Sequence, residues 1–195
     1  MKTRIAAALI AASTIAMPAL AQRAPAAVVV VVDTDRIYRD CNACRTAQTQ
    51  LQSQVQTLRT RQQTLEGQLR PEGQSIQTAV NALAGKQPDA ALTNRVKAFE
   101  QRQDAANQEL AKGQQNIQSI QANVVRQINE KLRPAINTVM TQKGANIAVD
   151  VGSTLAHGTG TDITNEVLAA LNTALPAVSL TPMPQQQTQQ TPQGR

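Results

Sequence analysis

The sequence predicts an α+β protein, mostly α: a long antiparallel coiled-coil helical hairpin projecting from a small β-containing oligomerisation body. Two runs of heptad-spaced apolar residues, a cluster of helix breakers between them and two short β-branched runs outside them carry that reading.

Taken in order, Lys2 and Arg4 precede an apolar stretch from Ile5 to Met17, and Ala19, Leu20 and Ala21 supply the small residues of a cleavage site. Residues 1–21 therefore read as a secretory signal peptide, and the mature chain is expected in the periplasm. The apolar stretch falls short of the ~20 residues a membrane-spanning helix needs. Residues 28–32 are five consecutive valines ending at Asp33, a strand buried on both faces, so 22–36 form the first part of the body. From Ile37 the spacing alternates between four and three: Cys41, Cys44, Gln48, Leu51, Val55, Leu58, Gln62, Leu65 and Leu69, resuming at Ile76, Val80 and Leu83. Gly85, Lys86, Gln87 and Pro88 end it in a turn, the tip near 85–88.

A second seam runs through Leu92, Val96, Phe99, Gln103, Ala106, Leu110, Gly113, Ile117, Ile120 and Val124 towards Val139. Residues 37–143 are thus two arms of about 50 residues, each roughly 75 Å long at about 1.5 Å per residue. Pro71 and Gly73 are expected to interrupt and kink the first arm, and Pro134 to mark a second break or a new first helical turn close to the base. Lys143-Gly144 stops the helix. Alternating Ile147, Val149 and Val151 give a second strand, Leu155 and Ala156 the start of a third, and Asp162 caps a short helix with Ile163, Val167, Leu168 and Leu171 on its apolar face. Residues 144–175 complete the body. The Pro-, Gln- and Thr-rich residues 176–195 are expected to be disordered.

Composition excludes an ordinary compact core, because Tyr38 and Phe99 are the only aromatics and there is no Trp. Burial must come from helix pairing and from association between subunits. The precursor carries +6. Residues 45–84 hold four basic and two acidic side chains and residues 85–143 hold nine and five, so the positive field belongs to the arms. Such a field attracts acidic partners without specifying them, and it admits transient contact with an anionic membrane surface.

A signal peptide, a valine strand ending in Asp33, a Gln-rich helical hairpin, Lys143-Gly144 leading to Val149-Asp150, and Asp162-Ile163-Thr164 leading to Val167-Leu168 occur here in that order. This arrangement resembles the Skp/OmpH family of periplasmic chaperones over residues 27–175. The resemblance implies a jellyfish-like homotrimer whose body is built from strands of three subunits and whose arms enclose unfolded outer-membrane proteins, without ATP or any cofactor. Two departures are the tail from Pro176 and the cysteine pair; Ala145 also stands where an aromatic is usual. The arms match only in length and period, so client contacts do not transfer residue by residue.

Catalytic signals are weak. Cys41 and Cys44 have dithiol spacing, yet both fall on the seam and no alternating strand and helix pattern surrounds them; buried seam cysteines, a structural disulfide and a redox pair all stay open, in that order. His157, the only histidine, has no ligand cluster nearby in sequence and reads as a loop residue. Asp35 is expected to start the first helix and Asp40 to pair with neighbouring arginines. With no phosphate loop or nucleophile motif, no enzyme is expected. A nucleic-acid partner is disfavoured by the absence of aromatic interleaving and by export. Candidate client contacts are the off-seam cations Lys86, Arg95, Lys97, Arg102 and Lys112, which would steer encounter, and Leu83, Leu92 and Phe99, which would govern release. A structural coiled-coil spacer or adaptor of the cell envelope is the alternative reading.

Overall fold

A computed structural model describes residues 25–183; the signal peptide expected at 1–21 and residues 184–195 of the tail lie outside the described residues. Strand β1 (Val29–Val32) is followed by α1 (Thr34–Asp40), α2 (Asn42–Ala82), α3 (Ala90–Gln142), β2 (Ile147–Asp150) and α4 (Thr164–Ala174), with two single turns of 3-10 helix between β2 and α4. Strands β1 and β2 pair in parallel, Val29 opposite Ile147 and Val32 opposite Asp150. Parallel neighbours need a long crossover, and here the crossover is the whole of α1 to α3.

Each helix starts where its sequence supplies an acceptor. Asp33, not Asp35 as expected, caps α1 by accepting the Arg36 N–H at 2.7 Å; Asp35 sits in the first turn. Asp35 cannot act as the cap because the valine strand ends one residue before Asp33, and the helix takes the first carboxylate available. Asp40 pairs with Arg36. The seam is not one continuous helix from Ile37. It breaks at Cys41, whose backbone is extended (φ −64°, ψ 136°), and restarts at Asn42 with Cys41 Sγ accepting the Cys44 N–H. Asp89 caps α3 through the Leu92 N–H at 2.7 Å.

Pro71 and Pro134 lie inside α2 and α3, and both helices run through them, correcting the expected interruptions. A proline ring presses on the carbonyl four residues earlier. For Pro71 that carbonyl belongs to Gly67, a residue without a side chain of its own. Packing then holds the helix in the turns just after the proline: Phe99 of α3 lies over Gly73, with a ring carbon 3.1 Å from where a glycine Cβ would stand, and Ile76 is buried.

Partners between α2 and α3 rise in number along one helix as they fall along the other. Leu58 packs on Gly113, Arg61 bonds Glu109 at 2.6 and 3.0 Å, Glu72 pairs with Arg102, and Arg95 donates to Ser75 at 2.6 Å. Residues 83–89 make the turn between them, with Ala84 (φ 49°) and Gly85 (φ 88°) in the left-handed region.

The core sits at the base, where α1, the start of α2, the end of α3 and α4 close over the two strands. Ile37, Ile163, Leu171, Val32 and Val167 are its largest fully buried side chains. The apolar face of α4 falls as expected, with Ile163, Val167 and Leu171 buried and Leu168 half-buried. Asp162 accepts the Thr164 N–H at 2.8 Å, although Ile163 occupies the capping position. No third strand forms at Leu155 and Ala156, which are exposed in a loop with His157. The third edge contact comes instead from Asp162, bridged to Val31 through the Ile163 N–H. The glycine-rich stretch before it turns too tightly to extend a strand.

The tail also departs from expectation. Residues 176–183 lie along α3, with Val178 and Leu180 packed against the base core.

Candidate functional site

A two-helix pair has one seam and two outer faces, and nothing in a single chain covers both. Along the proximal half of α2 and α3 one face opens as a groove of about 630 Å³, whose apolar lining includes Leu51, Val55, Ile117 and Val125 and whose rim carries Gln48, Gln52 and Gln121. A second hollow of about 410 Å³ continues it distally, sharing Val55, Arg59 and Ile117. The wall is therefore apolar at its floor and amide-rich at its edge, with Arg59 as its only charge. Amides donate and accept without fixed charge, so such a wall can satisfy many polypeptide segments and select none strongly.

Tyr38, Cys44 and Ala47 close the basal end of the groove. Tyr38 Oη donates to Asn129 Oδ1 at 2.7 Å, tying α1 to α3. Cys41 and Cys44 form a disulfide at the α1–α2 junction; they are 1 % and 5 % exposed, and the bond holds the bend where the seam breaks. A buried disulfide is shielded from exchange with an attacking thiolate.

The anticipated contacts are scattered along the distal half. Lys86 is in the tip turn, and Lys97 and Lys112 are exposed on α3 without an ion-pair partner among the described residues. Arg102 is engaged by Glu72 and Arg95 by Ser75, so these two are committed to the helix pair. Leu83, Leu92 and Phe99 are half-buried between the helices. The proximal groove was not anticipated; its signal is the glutamine spacing of Gln48, Gln52 and Gln56, four residues apart and starting from a seam position.

At the base, carboxylates fasten elements together. Asp150 accepts the Thr34 hydroxyl, the Gly152 N–H at 2.7 Å and the Thr34 N–H at 3.3 Å; the hydroxyl contributes most to holding its pKa below the usual value. Thr164, through side chain and N–H, does the same for Asp162, and the Lys143 ammonium at 2.7 Å does so for Glu166. Each stabilises charge for structure, at sites apart from the groove. Among the described residues no cluster of His, Cys, Asp or Glu could hold a metal ion, and no helix is long and apolar enough to cross a membrane.

At the base mouth Val29 and Ile147, partners in the sheet, are 43 % and 42 % exposed beside the exposed Val28. No strand among the described residues pairs with the outer edge of β2. A bare strand edge next to exposed valines is a template for another strand.

No curated protein sequence matches the chain at a significant level. Among solved structures, a candidate outer membrane chaperone (OmpH-like) from Caulobacter crescentus CB15 superposes with a TM-score of 0.67 at 15 % identity, covering 82 % of this chain and 92 % of that one. At that identity the likeness is one of fold. A family model described as outer membrane protein (OmpH-like) matches residues 28–171, the span from the valine strand through the buried face of α4. By that match the chain belongs to the OmpH-like outer membrane protein family.

Proposed function

We propose that this chain is an ATP-independent holding chaperone of the periplasm, which binds unfolded outer-membrane proteins and keeps them from aggregating. The observation that carries the reading is the uncovered groove between α2 and α3, apolar at the floor and amide-rich at the rim. Three copies would join through the exposed ends of β1 and the free edge of β2, and each α2–α3 pair would stand as an antiparallel coiled-coil arm around a shared cavity. A client there would be held by many weak contacts. Isolation alone protects it, because unpaired strand edges aggregate by meeting each other. The exposed cations of the arms would speed encounter with acidic clients, since long-range fields act on association more than on dissociation.

An envelope spacer would need the same arms but no open apolar wall, so the groove disfavours that alternative. The test is suppression of aggregation of an unfolded outer-membrane β-barrel protein diluted from urea, with light scattering of the chaperone alone in parallel. The expected result is suppression at about one trimer per client and a trimeric mass. A folded monomer at micromolar concentration that leaves aggregation unaltered would overturn the proposal.

A further inference from the structure

We infer that the face of α3 bearing Ser119, Asn123 and Gln127 is a docking site for an amphipathic, extended polypeptide segment, and that residues 178–183 of the chain occupy it as a competing ligand in cis. The inference rests on the holding-chaperone reading for the identity of the outside ligand, an unfolded β-strand segment.

The three side chains are spaced four apart, hence on one face of the helix and about 6 Å from one to the next along its axis. An extended chain repeats its main-chain orientation every two residues, over roughly 6.2 to 6.8 Å. The two rulers agree to within a fraction of an ångström per step, and the tail uses that agreement. Ser179 donates its N–H to Gln127 Oε1 at 2.9 Å and accepts from Gln127 Nε2 at 2.9 Å. Thr181 accepts from Asn123 Nδ2 at 2.8 Å. Met183 donates to Ser119 Oγ at 3.0 Å and accepts from it at 3.4 Å.

Every one of these bonds is to the tail's main chain, so the ladder reads conformation and not side-chain identity. Pro182 falls between the rungs, where no N–H is required of it. The side chains of the segment alternate. Val178 and Leu180 pack against the base core, while Ser179 and Thr181 are exposed. Alternation of apolar and polar residues in an extended chain is also the pattern of outer-membrane barrel strands. Asn123 is 6 % exposed, and Arg126 holds its Oδ1 at 2.8 Å, which leaves Nδ2 for the tail. Departure of the tail would therefore present a prearranged row of donors and acceptors beside an apolar shelf. Among the described residues no ion pair fastens the segment, and the sequence beyond Met183 is Pro, Gln and Thr up to a final Gly194-Arg195, with no further apolar anchor, so the strap is a displaceable one.

The test uses a fluorescent peptide of repeating Val-Ser-Leu-Thr, titrated by anisotropy into three proteins: the full chain, a chain ending at Leu175, and full-length Leu180→Glu, which keeps the tail but removes an anchor. If the tail holds the site nine-tenths of the time or more, both altered proteins bind the peptide about 10-fold tighter or better than the full chain. Adding Asn123→Leu and Gln127→Leu to the shortened chain abolishes that gain. In the full chain, saturating peptide speeds deuterium exchange at the amides of Ser179 and Met183. Equal or weaker peptide binding by both altered proteins, or a gain that survives loss of Asn123 and Gln127, overturns the inference. Aggregation suppression measured on the same proteins separates the two readings: suppression without any tail effect sinks this site and leaves the chaperone standing, whereas a tail effect without suppression supports the site and sinks the chaperone.

Discussion

Replacing Cys41 and Cys44 together with alanine separates what the disulfide does for the fold from what it could do chemically. The bond closes a loop of only four residues. By the loop-entropy relation that closure constrains the unfolded chain by about 6 cal/mol/K, or about 1.9 kcal/mol at 25 °C. Both sulfurs lie in the base core, and losing each resembles losing a buried methylene, about 0.8 kcal/mol apiece. Reduction alone should therefore cost about 2 kcal/mol and the double replacement about 3.5 kcal/mol, the difference reporting the packing. Cys41→Ser with Cys44→Ala should recover about 1 kcal/mol, because a serine oxygen can take over the cap that Sγ gives α2. Urea unfolding with and without reductant, at one fixed protein concentration because the chain is expected to associate, measures all three. Aggregation suppression should stay within a few-fold throughout. Unfolding midpoints indifferent to reductant would refute the energetic argument, and complete loss of suppression by an intact fold would reinstate a redox role.

Two further predictions use the charges. Reversing Lys86, Lys97 and Lys112 to Glu should slow association with an acidic unfolded client several-fold at low salt, flatten its salt dependence and leave dissociation nearly unchanged; stopped-flow fluorescence decides it, and an unaltered rate means these side chains serve solubility. Arg95 and Arg102 are better left alone, since their loss would also disturb α2–α3 contacts. Asp150, Asp162 and Glu166 have pKa values lowered in the folded state, so their contribution is complete above the unfolded values near 4 and disappears as pH falls through the folded ones. The urea midpoint should be flat from about pH 7 to 5 and drop below about 4, and Asp150→Asn, which can still accept the Thr34 hydroxyl, should shallow that drop.

Periodicity made the two long helices and the turn between them readable, because a seam repeated over ten positions outweighs one proline. Pro71 departs from expectation for that same reason: its local cost is real, but packing by Phe99 and Ile76 overrides it. The valine run and the Ile147–Val149 alternation gave both strands, yet their parallel pairing depends on a contact across 118 residues that no local pattern encodes. The break at Cys41 was hidden because the cysteines keep the heptad spacing while the backbone leaves the helix. The docked tail was hidden in a different way. Its composition argues for disorder, and only the polar spacing of Ser119, Asn123 and Gln127 on another element gives its main chain somewhere to bind.

The parallel pairing of β1 with β2 also fixes the order in which the molecule can form. β1 precedes every other described element in the sequence, but its partner begins at Ile147 and the helix that covers it only at Thr164. Contacts within and between α2 and α3 span shorter loops and come within reach earlier, whereas the sheet must wait for the most distant closure in the chain. Until then five consecutive valines stand unpaired, a β-branched, uncharged run of the kind that aggregates with its own copies. A protein read as a guardian of nascent strands is, for that interval, one of them.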